Sequence, residues 1–135
     1  MKASEAMVAS PFVAVANASA SEVAIMFRTR NISVVPVVDD HRTRRFLGCL
    51  SDRDLVTRCL AGGLDPLTTR ADEIMRTDTE VVGPDTELDG FQLYMNQDPT
   101  ESHLRPTITV VDSEHQVIGF ISHPELVPGI KIIWR

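Results

Sequence analysis

Long hydrophobic runs are missing from this 135-residue chain. No stretch approaches the ~20 consecutive apolar residues that carry a helix across a bilayer, so no helical membrane span is expected. An excess of positive charge is missing too. Thirteen Lys+Arg stand against nineteen Asp+Glu, for a net charge of −6. That balance argues against general binding to nucleic acid or to anionic membrane surfaces, both of which need a basic face. Cysteine is scarce. Cys49 and Cys59 show neither a Cys-x-x-Cys spacing nor an adjacent base, so both read as packing residues in a reducing compartment, with pairing left open by sequence. The histidines His41, His103, His115 and His123 fall in polar turns at no zinc-like spacing, and no metal is expected. Asp39, Asp52 and Asp54 offer carboxylates but no companion nucleophile or oxyanion-stabilising group, so no catalytic residue is assigned and the chain is not read as an enzyme. The Ala/Ser/Val-rich first twenty residues are interrupted by Ser10, Pro11 and Asn17. They make a weak secretory signal, and a cytoplasmic location is expected.

What is present is an ordinary globular composition, 43% hydrophobic and 24% charged, in a chain long enough to bury a core without staples. It carries an internal repeat. Glu5-Ala6-Met7 and Glu73-Ile74-Met75 are 68 residues apart, and each leads to an apolar run, 11-PFVAV-15 and 79-TEVVG-83. Helical spacing follows in both copies. Val23, Met26, Phe27 and Ile32 come after a cap at Ser19 or Ser21, and Leu88, Phe91 and Met95 come after a cap at Asp85. Next are the β-like runs 34-VVPVVD-39 and 107-TITVVD-112, a polar turn, and second strands 46-FLGCLS-51 and 117-VIGFIS-122. The second copy carries five extra residues, assigned to 96–106, and its polar turn is two residues shorter. The expected unit is strand, helix, strand, hairpin, strand, helix. Repeat 1 spans 1–65, the linker 62–72 follows with Gly62, Gly63 and Pro66 as helix breakers, and repeat 2 spans 73–135. The run 42-RTRR-45 beside Asp39-Asp40 reads as a solvated turn with local ion pairing. The terminal 130-IKIIWR-135 reads either as a last strand or, through Trp134, as a subunit contact.

The most informative stretch is 48-GCLSDRD-54, repeated in register as 119-GFISHPE-125. One reading is a helix start: the serine caps an N-terminal N–H and the acid three residues later returns to the serine backbone, which Ser122/Glu125 fits literally and Ser51/Asp54 fits with a shorter acid. The other is a nucleotide site. Ser51 would offer a hydroxyl to phosphate, Asp54 would accept from a ribose diol, Arg53 would add charge, and Gly48 would leave room for close approach. One helix end can serve both, and the motif alone leaves both open.

Taken with 32-ISVVPVVD-39, 47-LGCLSDRDLVTRCLAGGLDP-66, 72-DEIM-75, 108-ITVVD-112 and 118-IGFISHPEL-126, the stretch resembles a tandem cystathionine-β-synthase (CBS) domain pair, or Bateman module, of the stand-alone bacterial type. The resemblance covers essentially all of residues 4–127. It implies an α+β fold of two β-α-β-β-α repeats related by pseudo-twofold symmetry, with their sheets packed face to face, and commonly a homodimer. It also implies a regulatory ligand of the adenosine class: AMP or ATP first, NAD or S-adenosylmethionine otherwise. In the first repeat the implied site is Gly48, Ser51, Arg53 and Asp54, with Val35-Pro36 lining the adenine pocket and the opening-strand residues Phe12, Val13 and Ala14 contributing. The second repeat departs from the pattern. Thr109 stands in place of proline, Glu125 in place of aspartate, and His123 and Pro124 fill the variable positions before a helix that Pro128-Gly129 cuts short. The second site would be Thr109, Ser122, His123 and Glu125; the first is expected to dominate. The implied function is a sensor that signals to a separate effector protein. The alternative is a non-sensing interaction module that keeps only the fold and dimer surface.

Overall fold

β-Branched runs between polar turns become strands, and the serine-capped run after residue 19 becomes an 11-residue helix. The computed structural model describes residues 1–95 and 106–135; the expected insertion at 96–106 and His103 lie outside the described residues, apart from Pro106. In chain order the elements are α1 (Ala3–Ala6), β1 (Val8–Ala9), β2 (Ala14–Val15), α2 (Ala20–Arg30), β3 (Val34–Val38), β4 (Phe46–Ser51) and α3 (Asp52–Asp54). The last continues as a π-helical turn, Leu55–Leu60. Then come α4 (Ala71–Ile74), β5 (Glu80–Val82), β6 (Gln92–Met95), β7 (Ile108–Val111), β8 (Val117–Ile121), a 3₁₀ turn (Pro124–Leu126) and β9 (Lys131–Trp134).

The chain forms two compact units. One is Phe12–Asp78; the other joins Met1–Pro11 to Thr79–Arg135. The repeats and the units therefore cut the chain differently: the 12–78 unit includes the first residues of repeat 2, and the other unit includes the first residues of repeat 1. The short helices α1 and α4 mark this exchange, with Lys2 N–H bonded to Glu5 Oε1 at 2.8 Å and Arg70 N–H to Glu73 Oε1 at 3.3 Å. Lys2 bridges to Glu87 in one unit, and Ser19 to Arg70 in the other.

In the 12–78 unit, β2 runs parallel to β3 and β3 antiparallel to β4. A bridge between Cys49 and Arg76 extends β4's outer edge. α2 begins with a reciprocal cap: Glu22 N–H donates to Ser19 Oγ at 3.1 Å, and Ser19 N–H to Glu22 Oε2 at 3.0 Å. It ends at Asn31, left-handed at φ 53°, whose N–H returns to Phe27. Ala20, Val23 and Phe27 pack with Ala14, Val35, Val37, Leu50 and Cys59 into the core.

The other unit holds a four-stranded sheet, β1-β8-β7-β5, and a two-stranded parallel ribbon, β6-β9. Its core gathers Ala3, Leu88, Leu93, Met95, Ile108, Val110 and Ile121. The helix expected after Asp85 is not there. Leu88 is buried in a turn, Gly90 takes φ 80°, and Met95 ends a strand. Positive φ at Gly90 breaks helical continuity. After it the alternation of exposed Gln92 and Tyr94 with buried Leu93 and Met95 is a period of two, satisfied by pairing with β9. That pairing also resolves the C-terminal run as a strand.

Candidate functional site around Asp54

Ser51 closes β4 and caps α3. Asp54 N–H donates to Ser51 Oγ at 3.1 Å, while Ser51 N–H and the Ser51 hydroxyl both donate to Asp54 Oδ2 at 2.9 Å. Asp52 N–H anchors the turn on Ser33 carbonyl at 2.8 Å. Asp54 is only 2% exposed. A buried carboxylate needs a charged partner, and Arg76 supplies it: Nε donates to Asp54 Oδ1 at 2.8 Å, and Arg76 is itself 7% exposed. Arg58 stands farther off, its Nε 3.9 Å from the same oxygen, while its Nη1 donates to the Met75 carbonyl at 3.0 Å. Nothing in the residues of the 48–54 stretch announces these two arginines. In the repeat, Val8 occupies the position matching Arg76, 68 residues earlier.

Gly48 is required by the chain itself. A Cβ there would collide with the Arg76 carbonyl and crowd the Met75 side chain at 3.0 Å. The backbone runs this close because Cys49 and Arg76 exchange N–H···O bonds of 2.8 Å in both directions. The space expected for a ligand beside Gly48 is, on that side, filled by residues 75–76. Val35 and Pro36 are buried in β3, opposite Leu50 and Cys49. Val13 and Ala14 are buried, with Ala14 inside β2. Phe12 precedes that strand, exposed, with the Arg30 guanidinium 4.8 Å from its ring centre. Arg53 is exposed. The first-site residues thus fall in one unit, and within it Ser51 and Asp54 bond to each other directly.

The second set behaves differently. Thr109 is fully buried in β7, paired with Phe120. The Ser122/Glu125 cap read from the sequence is not formed. The 3₁₀ turn starts from His123 without a side-chain cap, and Glu125 Oε1 lies 3.1 Å from His123 Nδ1 instead. Proline at 124 lacks an N–H and fixes φ, and the longer glutamate reaches outward, its side chain 45% exposed. The short final helix is borne out at three residues. Cys49 and Cys59 are both buried. His41, His115 and His123 are exposed. Among the described residues no group of three or more His, Cys, Asp or Glu side chains is placed to hold a metal ion, and no helix is long and apolar enough to cross a membrane.

The family model of the CBS domain matches residues 3–61. Residues 3–61 are a CBS domain. Hypoxic response protein 1 of Mycobacterium tuberculosis is 30% identical over 99 residues, 73% of this chain; the match spans 64% of that relative's length. The crystal structure of Hypoxic Response Protein I with two coordinated zinc ions superposes with a TM-score of 0.71 at 23% identity, over 93% of this chain and 96% of that one. The CBS domain pair of protein MJ0100, in complex with 5′-methylthioadenosine and S-adenosyl-L-methionine, superposes at 0.66 and 22% identity, over 90% of this chain and 89% of that one. These likenesses establish an α+β CBS-pair fold.

Proposed function

We propose that this CBS pair is a regulatory module that takes an adenosine nucleotide at Ser51–Asp54 and signals to a separate effector protein. The observation that carries the reading is the 48–54 signature held at a strand end, with Ser51 and Asp54 locked together by three hydrogen bonds. A similarly folded pair crystallised with two adenosine-derived compounds supports the ligand class. Mechanistically, ligand bound more tightly by one conformation than by another shifts the population, and that differential affinity is what a partner reads. The reading includes no turnover, a cytoplasmic location and a homodimer. Exposed Val56, Leu60 and Leu67 give apolar area for a subunit contact.

Calorimetric titration with AMP, ATP, NAD and S-adenosylmethionine in turn tests it. Saturable binding at one ligand per chain is expected, accompanied by a rise in melting temperature. Asp54→Ala should weaken binding by about 1.5–3 kcal/mol, the scale of hydrogen bonds to a charged group. A second reading, a non-sensing interaction module, is favoured by one observation: Asp54 already has partners on both oxygens within its own unit. Absence of binding to all four ligands at millimolar concentration would establish it.

A further inference from the structure

We propose that Arg76 is a latch on the diol-binding carboxylate, so that an adenosine ligand must draw its guanidinium away from Asp54 before the ribose can seat. The proposal rests on the ligand-binding reading above. A ribose diol needs two free acceptor positions on a carboxylate it can reach. Asp54 offers neither access nor capacity: it is 2% exposed, Oδ2 accepts twice from Ser51, and Oδ1 accepts from Arg76 Nε at 2.8 Å. Of these donors the guanidinium is the one that takes no part in the cap. The Ser51 bonds are the cap of α3, and they hold the backbone between β4 and α3.

The latch moves as a side chain, not as a segment. Arg76 N–H and C=O are fixed to Cys49 by two 2.8 Å bonds, and the Gly48 contact leaves no slack behind them. Arg58 is held separately by the Met75 carbonyl at 3.0 Å. It stays as a second cation beside Oδ1, so Asp54 retains a counter-charge when Arg76 swings out. In the other unit the position matching Arg76 is Val8, 67% exposed, and the matching acid is Glu125, bonded to His123. Exchanging a charge-assisted hydrogen bond for bonds from neutral hydroxyls costs binding energy. Apparent affinity is then reduced by the fraction of molecules with the latch open.

The test uses the full chain, ¹⁵N-labelled, with the Arg76 Nε–H resonance assigned by its loss in Arg76→Lys. Adenosine, which has the diol and no phosphate, is titrated in, with 2′,3′-dideoxyadenosine as the control lacking the diol. Adenosine should move the Arg76 Nε–H resonance along its own binding isotherm, and dideoxyadenosine should not. Arg76→Met should bind adenosine at least tenfold more tightly than the unaltered chain. Binding by Arg76→Met alone, with none by the unaltered chain, also supports the latch, as one that rarely opens. Adenosine binding with an unmoved Arg76 resonance, or with equal or weaker affinity in Arg76→Met, overturns the latch and leaves the sensor reading standing. No binding of adenosine by either protein overturns the latch, and the four-ligand titration then decides the sensor reading. If Arg76→Met fails to fold, the resonance in the unaltered chain decides alone.

Discussion

In the 12–78 unit the turn after β4 closes on itself: Ser51 caps α3, Asp54 returns both to the serine and to Arg76, and the carboxylate is sealed from solvent. In the other unit the turn after β8 carries a matching serine and acid, yet Glu125 pairs with an exposed histidine and the helix stops after a 3₁₀ turn. One repeated signature has produced a buried polar network in one place and an open, solvated turn in the other. Two substitutions account for the contrast. Pro124 fixes φ and removes an amide from the turn after β8, leaving Glu125 to pair with His123, and Val8 stands where Arg76 supplies the charge that makes burying an acid tolerable. A signature residue acquires its role from the segment that crosses over it as much as from its own spacing.

The comparison can be broken most directly at the acids. Asp54→Ala leaves the Arg76 guanidinium buried without its carboxylate and should destabilise the protein by about 3–5 kcal/mol, the usual effect of removing one partner of a buried pair. Glu125→Ala should stay within about 0.5 kcal/mol, as for an exposed site. Urea midpoints measure both, and equal losses would mean that the two turns are energetically alike. The glycines come next. Gly48→Ala forces a methyl group against the Arg76 carbonyl, a backbone atom fixed from both sides, and should cost about 1–3 kcal/mol, as overpacking does. Gly119→Ala meets the Met7 side chain instead, beside the exposed edge strand β1, which can move outward. It should cost less, and a larger loss there would place the tighter crossing in the wrong unit. The serines sharpen the picture further: Ser51→Ala removes a formed cap at about 1 kcal/mol, while Ser122→Ala, with no cap to lose, should shift stability by no more than about 0.5 kcal/mol.

The strands were legible because β-branched runs such as 34-VVPVV-38 and 108-ITVV-111 have one low-energy way to bury both faces. The repeat was legible because α1 and α4 keep their Glu-x-Met registers. The helix placed on Leu88, Phe91 and Met95 failed for a reason equally physical. Three apolar residues at helical spacing also satisfy a turn followed by a strand once Leu93 is counted, and the partner that decides, β9, lies some forty residues away. The Ser51 cap and its acid were readable from spacing. Arg76 was not, because its partner is 22 positions distant and charge pairing at that range leaves no local trace.

The smallest expected effect lies in the two hairpin turns, and it concerns acid pH. Asp39 Oδ1 accepts from the Thr43 hydroxyl at 2.6 Å and from Arg45 N–H at 2.8 Å, and Asp40 Oδ1 accepts from Thr43 N–H at 2.7 Å. The ion pairing expected around 42-RTRR-45 is thus secondary to hydrogen bonds that the two aspartates receive. The Thr43 hydroxyl, first among the causes, holds the Asp39 carboxyl below the ordinary aspartate range, and the Thr43 amide does the same for Asp40. In the matching turn Asp112 Oδ1 accepts from the backbone N–H groups of Glu114 and Gln116 at 2.9 Å. A carboxyl whose folded pKa is depressed contributes stability that is complete above its unfolded value and is lost as pH falls through the folded one. Both carboxyls are exposed, so the loss in global stability should be slight, and the sensitive readout is the titration of each side chain by carboxyl ¹³C NMR. Thr43→Val, which removes the hydroxyl donor but keeps the amide, should raise the Asp39 midpoint toward the ordinary range. It should move Asp40 less. An Asp39 midpoint unaffected by Thr43→Val would mean that the backbone donors alone hold the turn, and the two hairpins would then be chemically equivalent.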